Sequence, residues 1–120
     1  LKLENHINFL KSYTQNDAPK IYMSADAYIT ISYQDNCPTA VLEAMACGTP
    51  VVATDVGDTK DITGDLCPVF QVGNLQGMSN SIVEILNSNF PSELELSSYA
   101  INRFPAKKLV ADTDILLRKL

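Results

Sequence analysis

The sequence predicts an α/β fold: a parallel β-sheet with flanking helices, continued by a helical C-terminal tail. Three observations carry this. Short apolar runs rich in β-branched and aromatic residues read as buried strands. The segments between them repeat their apolar residues at helical spacing. Strands and helices alternate, which implies parallel pairing with right-handed crossovers.

In chain order, residues 7–10 (INFL) and 28–31 (YITI) read as the first two strands, because both are apolar and too short for helices. Residues 51–54 (VVAT) and 69–72 (VFQV) read as the third and fourth. Between the first two, residues 17–25 place Ile21, Tyr22 and Ala25 at helical spacing, with Asn16 or Asp17 as N-cap and Pro19 in the first turn. Residues 39–47 are rich in Ala, Leu, Glu and Met, stop at Gly48 and are followed by Pro50. A short loop or helical turn covers 59–62. Residues 75–86 carry Leu75, Met78, Ile82, Ile85 and Leu86 on one stripe and form an amphipathic helix. Two more helices follow, over 93–104 and 106–120, separated at Pro105. No repeat, low-complexity tract or flexible linker interrupts this order. The chain reads as one domain, an α/β core over about 1–90 and C-terminal helices over 91–120.

The 120 residues suit a single hydrophobic core, and 46% hydrophobic with 19% charged residues is ordinary for a soluble domain. A formal net charge of -5 with nine scattered basic residues argues against nucleic acid, whose phosphates demand clustered Lys and Arg. The close basic pairs Lys107-Lys108 and Arg118-Lys119 suit a solvated helix face, or peripheral contact with an anionic membrane. No apolar run reaches the roughly 20 residues that span a bilayer, and no signal-peptide pattern opens the chain, so a cytoplasmic protein is expected. Cys37, Cys47 and Cys67 have no C-x-x-C spacing, with His6 alone as a companion ligand, and are expected to be small buried or half-buried thiols. The chain begins with Leu1, so a fragment of something larger is expected.

In open parallel sheets, ligands bind at the carboxyl ends of the strands. That directs attention to residues 32–39. The loop leaving the second strand holds Asp35, Asn36, Cys37 and Pro38, then opens a helix whose free N–H groups belong near Thr39, Ala40 and Val41. Such a terminus attracts phosphate, and small side chains let it approach. Any α/β helix start shares this property. Glu43, one turn inside, can accept hydrogen bonds from a pair of vicinal hydroxyls such as a ribose presents. Asp35 adds a carboxylate ahead of the helix. Eight positions of continuous helix would separate the two by about 12 Å, but Asp35 precedes the proline and is expected to fold back over the helix start. Taken alone, the pair reads more readily as a turn or capping residue and a solvated helix residue.

The stretch 35–57, DNCPTAVLEAMACGTPVVATDVG, resembles the signature of the retaining glycosyltransferases of family 4. In that signature an acidic residue and seven others precede a Glu, followed by Ala-Met-Ala and Gly-x-Pro-Val-Val-Ala-Thr-Asp-x-Gly. Here the match runs from Asp35 to Glu43, through Ala44-Met45-Ala46-Cys47-Gly48 and Pro50-Val51-Val52-Ala53-Thr54-Asp55, to Val56-Gly57. Ile21-Tyr22 with Ser24-Ala25-Asp26-Ala27-Tyr28, and more loosely 80–86 and Arg103-Phe104, extend it over most of the chain. The resemblance implies part of the C-terminal, nucleotide-sugar-binding domain of the two-domain GT-B architecture, with a Rossmann-like sheet.

The resemblance further implies a hexosyltransferase that uses a UDP- or GDP-linked sugar, with retention, in polysaccharide or glycoconjugate assembly. Carried over by position, Glu43 holds the nucleotide ribose. Asp35, to which the resemblance assigns the catalytic role, contacts donor-sugar hydroxyls. Asn36, Cys37, Pro38, Thr39, Ala40 and Val41 offer backbone groups to sugar and diphosphate. Asp35 is one methylene shorter than the commoner Glu, which bears on which sugar fits. Lys11 and Asp58 stand where many members have Gly. Asp61 matches an acidic position after that loop and is expected to be structural.

No metal site and no cofactor are implied. The family's leaving-group Arg and Lys lie in a segment before Leu1, and its sugar or lipid-linked acceptor is held by an N-terminal domain absent from these residues. The 120-residue stretch by itself is therefore expected to be inactive, since charge developing on the leaving diphosphate needs those cations. Peripheral attachment at the inner membrane face is compatible with such work. The alternative is a non-catalytic nucleotide-sugar-binding or interaction module of the same fold. His6 reads as a surface or strand-edge residue, Gly48 and Gly57 as a helix cap and a turn, and the five tyrosines form no stripe along the sequence. The lack of G-x-G-x-x-G and Gly-Lys-Ser/Thr loops disfavours a dinucleotide oxidoreductase or P-loop enzyme.

Overall fold

Strand β2 (Val51–Thr54) is buried along its whole length, and the rest of the fold is arranged around it in a computed structural model that describes residues 2–87 and 90–105. It lies in the middle of a three-stranded parallel sheet of order β1-β2-β3. β1 (Tyr28–Thr30) pairs with it in the register Tyr28↔Val51 to Thr30↔Ala53, and β3 (Val69–Phe70) in the register Ala53↔Val69 and Thr54↔Phe70. Side chains alternate across a strand, so Val51 and Ala53 face one way and Val52 the other. Both faces are covered, which is why an unbroken apolar run marks this strand.

On the first face Val51 and Ala53 join a core built by Val41, Ala44 and Met45 of α2 (Thr39–Ala46), Ile62 of α3 (Thr59–Thr63), and Leu96 and Ala100 of α5 (Glu93–Arg103). Tyr22 of α1 (Ala18–Met23) closes one side of it. On the second face Val52 packs against Met78 and Ile85 of α4 (Leu75–Leu86). The fold class expected from the sequence is the one observed: an α/β, Rossmann-like arrangement of helices on a parallel sheet.

Local chemistry sets the element ends. Gly48 follows α2 at φ 81°, a conformation that glycine adopts without strain, and its N–H donates to the Met45 carbonyl at 2.9 Å. Asn74 and Ser92 cap α4 and α5, accepting from the N–H groups of Gly77 and Glu95 at 3.0 and 3.3 Å. Asp17, expected as an N-cap, makes no cap bond; its carboxylate accepts instead from the Thr14 hydroxyl and N–H at 2.6 and 3.2 Å. The helix expected over 17–25 ends at Met23, where the Ser24 N–H and hydroxyl turn back to the Ile21 carbonyl.

Two of the expected strands need correction. Residues 7–10 are not a strand: Ile7 is extended, at φ -118° and ψ 124°, but Phe9 and Leu10 are 88% and 67% exposed. An extended backbone becomes a strand only with a hydrogen-bonding neighbour. β1 pairs with β2 alone among the described residues, so the 7–10 segment makes no ladder with the other edge of β1. The fourth expected strand, 69–72, is cut to two residues because Gln71 already opens a turn, its carbonyl accepting from the Asn74 N–H at 3.0 Å. The helix expected over 106–120, with Lys107-Lys108 and Arg118-Lys119, lies outside the described residues. None of the helices among the described residues is long and apolar enough to cross a membrane.

Candidate functional site

The loop joining β1 to α2, residues 31–38, emerges at the carboxyl end of the sheet beside the loop that leaves β2, and the two are fastened together. The buried Thr54 hydroxyl donates to the Ser32 carbonyl at 2.8 Å, and the Asp58 N–H donates to the Asn36 carbonyl at 2.9 Å. Gly57 has φ 51°, and a Cβ there would collide with the carbonyl oxygens of both Asp35 and Asn36. Only glycine lets the backbones approach so closely. The β2 loop is braced from behind by Asp55, whose Oδ2 accepts from Lys60 Nζ at 2.5 Å and Gln71 Nε2 at 2.7 Å.

The candidate residues divide by exposure. Asp35 and Ala40 are half-buried, while Asn36, Cys37, Thr39 and Glu43 are exposed. Pro38 is buried, and Val41 points wholly into the core, which leaves only its backbone for a ligand. That N–H is itself engaged, donating to the Pro38 carbonyl at 3.0 Å. The helix start expected to offer the N–H groups of Thr39, Ala40 and Val41 therefore offers those of Thr39 and Ala40, and no side chain caps it. Cys37 also departs from expectation, being exposed on the loop, whereas Cys47 is half-buried and Cys67 buried.

Glu43 stands one turn into α2, and its Oε2 accepts from the Tyr22 hydroxyl at 3.2 Å. The Tyr22 ring meets Tyr28 edge to face, with centroids 5.6 Å apart at 81°. Burial, with the neighbouring charge of Glu43 and its hydrogen bond, pushes the Tyr22 phenol well above its ordinary pKa. Burial also raises Tyr28, and charge at Tyr13, Glu43 and Asp35 adds to it against a lowering hydrogen bond from Thr30.

An apolar cavity of about 240 Å³ opens here, lined by Tyr13, Ile21, Tyr22, Ala25, Tyr28 and Ala40. Three tyrosines that form no pattern along the chain are brought to one place. The helical spacing of Tyr22 and the strand pattern at Tyr28 signal that each turns inward. Nothing in the sequence signals that they meet, or that Tyr13 joins them. His6 is exposed in a 3-10 turn (Glu4–His6), and Asp61 contributes its carbonyl, accepting from Arg103 Nε at 3.1 Å. The sequence does contain one Asp-x-Asp spacing, Asp112-Thr113-Asp114, which lies outside the described residues.

A family profile described as glycosyl transferases group 1 matches residues 1–103. The chain is 42% identical over 65 residues to a D-inositol 3-phosphate glycosyltransferase of Salinispora tropica, a match covering 54% of this chain and 14% of that protein. It is 28% identical over 86 residues to O-antigen chain mannosyltransferase B of Escherichia coli, covering 72% of this chain and 23% of the relative. An N-acetyl-alpha-D-glucosaminyl L-malate synthase of Bacillus anthracis is 29% identical over 91 residues, covering 72% and 23%. The matched stretch spans less than a quarter of the length of each of these three relatives.

Proposed function

The chain belongs to the glycosyl transferases group 1 family, and from that premise we propose that it is the donor-binding part of a hexosyltransferase acting on a nucleoside diphosphate sugar with retention. It forms part of the C-terminal domain of a GT-B enzyme, and a separate N-terminal domain holds a sugar or lipid-linked acceptor. One observation carries the reading: Glu43 presents an exposed carboxylate that accepts from Tyr22, a residue lining the aromatic cavity, and it stands one turn from a helix start with free N–H groups. A nucleoside diphosphate has the complementary parts. Its ribose hydroxyls donate to Glu43, its base lies against the tyrosines, and its diphosphate reaches the N–H groups of Thr39 and Ala40.

The transferred sugar then falls toward the loop, where Asp35 accepts from its hydroxyls and the backbone of 36–38 closes around it. The donor is UDP- or GDP-linked. Cations from outside residues 1–120 stabilise the leaving diphosphate, so these residues alone do not turn over. The work belongs to polysaccharide or glycoconjugate assembly in the cytoplasm. Lys107-Lys108 and Arg118-Lys119 supply charge for contact with the inner membrane face.

Calorimetry on the intact protein tests the assignment. Hydrogen bonds to a charged group are worth about 1.5–3 kcal/mol, so Glu43→Ala is expected to weaken UDP or GDP binding by roughly ten- to a hundredfold. Unchanged affinity would remove Glu43 from the site.

A further inference from the structure

A glutamate on an exposed helix face ordinarily samples several rotamers, and a ligand that needs one of them must bear the cost of selecting it. Glu43 is exposed, yet one of its oxygens is held by a residue that has little freedom of its own. Tyr22 is 7% exposed, belongs to the main core, and packs edge-on against Tyr28. Its carbonyl is fixed as well, accepting from the buried Thr49 hydroxyl at 2.7 Å.

We propose that Tyr22 is a positioning residue for the donor nucleotide: its hydroxyl pins Oε2 of Glu43, leaving Oε1 turned outward for the vicinal hydroxyls of a ribose. This rests on the reading of Glu43 as the ribose contact. Since the phenol is shifted to high pKa by burial and by Glu43, it keeps its proton at neutral pH, and the bond always runs from Tyr22 to the carboxylate. The contact holds the carboxylate in one orientation before any ligand arrives. Tyr22 need not touch the sugar to do this.

The substitution Tyr22→Phe removes the hydroxyl and keeps the ring in its packing. Calorimetry on the intact protein compares UDP and GDP with their 2′,3′-dideoxy counterparts, in wild type, Tyr22→Phe, Glu43→Ala and the double variant. Releasing one rotamer-rich side chain corresponds to about a three- to tenfold loss in affinity for the ribonucleotide. The dideoxy nucleotide, which gives Glu43 nothing to accept from, is expected to lose less than twofold, and Tyr22→Phe is expected to add nothing once Glu43 is Ala. Ribose discrimination is a ratio within one variant, so partial unfolding cancels from it.

Equal losses for ribo- and dideoxynucleotide, or an undiminished Tyr22→Phe loss in the Glu43→Ala background, would make Tyr22 merely structural. The Glu43→Ala arm stands separately. No loss there overturns the reading of the site and this inference with it, whereas loss there and none in Tyr22→Phe overturns the role of Tyr22 alone.

Discussion

At the scale of single residues, the three thiols show how the fold divides similar side chains by environment. Cys67 is buried under the sheet, and burial pushes its thiol up to about 11, so little thiolate forms near neutral pH. Cys47, at the end of α2, is also raised, first by burial and then by Glu43. Cys37 is exposed on the loop assigned to the donor sugar. An alkylating reagent at pH 8, followed by peptide mapping of the intact protein, is therefore expected to modify Cys37 first, Cys47 slowly and Cys67 only on unfolding. Saturating sugar nucleotide should slow the Cys37 reaction severalfold. Labelling of Cys37 at the same rate with and without donor would count against the loop as a ligand contact.

At the scale of elements, the site is a pair of loops rather than a list of residues. The Asp35 loop has little packing of its own: Asn36 and Cys37 are exposed, and its position is set by Thr54, Gly57 and Asp58 of the neighbouring strand and loop. Gly57→Ala places a methyl where two carbonyl oxygens lie, at a φ that itself disfavours an L side chain. The left-handed conformation costs about 1–2 kcal/mol, and relief of the clash must displace the Asp35 loop. Sugar-nucleotide affinity is then expected to fall about tenfold while binding of the bare nucleotide, held by Glu43 on α2, changes less than threefold. Equal losses in parallel titrations would mean that the loop does not carry the sugar contact.

This is also where the sequence becomes hard to read. α2 and β2 were legible because their signals are local: helix formers ended by Gly48, and an apolar run buried on both faces. The Tyr22 to Glu43 bond spans 21 positions and has no local signature. The clasp between Gly57 and Asn36 likewise depends on two parallel strands arriving side by side, and residues 7–10 carry the composition of a strand without a neighbour to make one. Asp35 and Glu43 stood out by resemblance; the groups that hold them emerged only from the packing.

At the scale of the whole molecule, α2 is the element on which site and core depend together. Its outer face carries Glu43, and its inner face, Val41, Ala44 and Met45, is sealed by α5 through the fully buried Leu96 and nearly buried Ala100. α5 fixes the helix that carries Glu43, and its Ala100 and Ile101 line a cavity together with that residue. Gly48, at the end of α2, admits this contact: a Cβ there would lie 3.0 Å from Glu93 Cβ and from its carbonyl oxygen. Leu96→Ala should leave a cavity against α2 and cost about 2–5 kcal/mol, a large share of the roughly 5–15 kcal/mol that holds a domain folded. Leu94 on the same helix is 76% exposed, and Leu94→Ala is expected to cost less than about 0.5 kcal/mol. Hydrogen exchange on peptides spanning β2 reads this without assuming two-state unfolding of the intact protein. Exchange there should accelerate at least tenfold in Leu96→Ala and stay near the parent rate in Leu94→Ala; similar rates in both variants would show that α5 does not clamp α2.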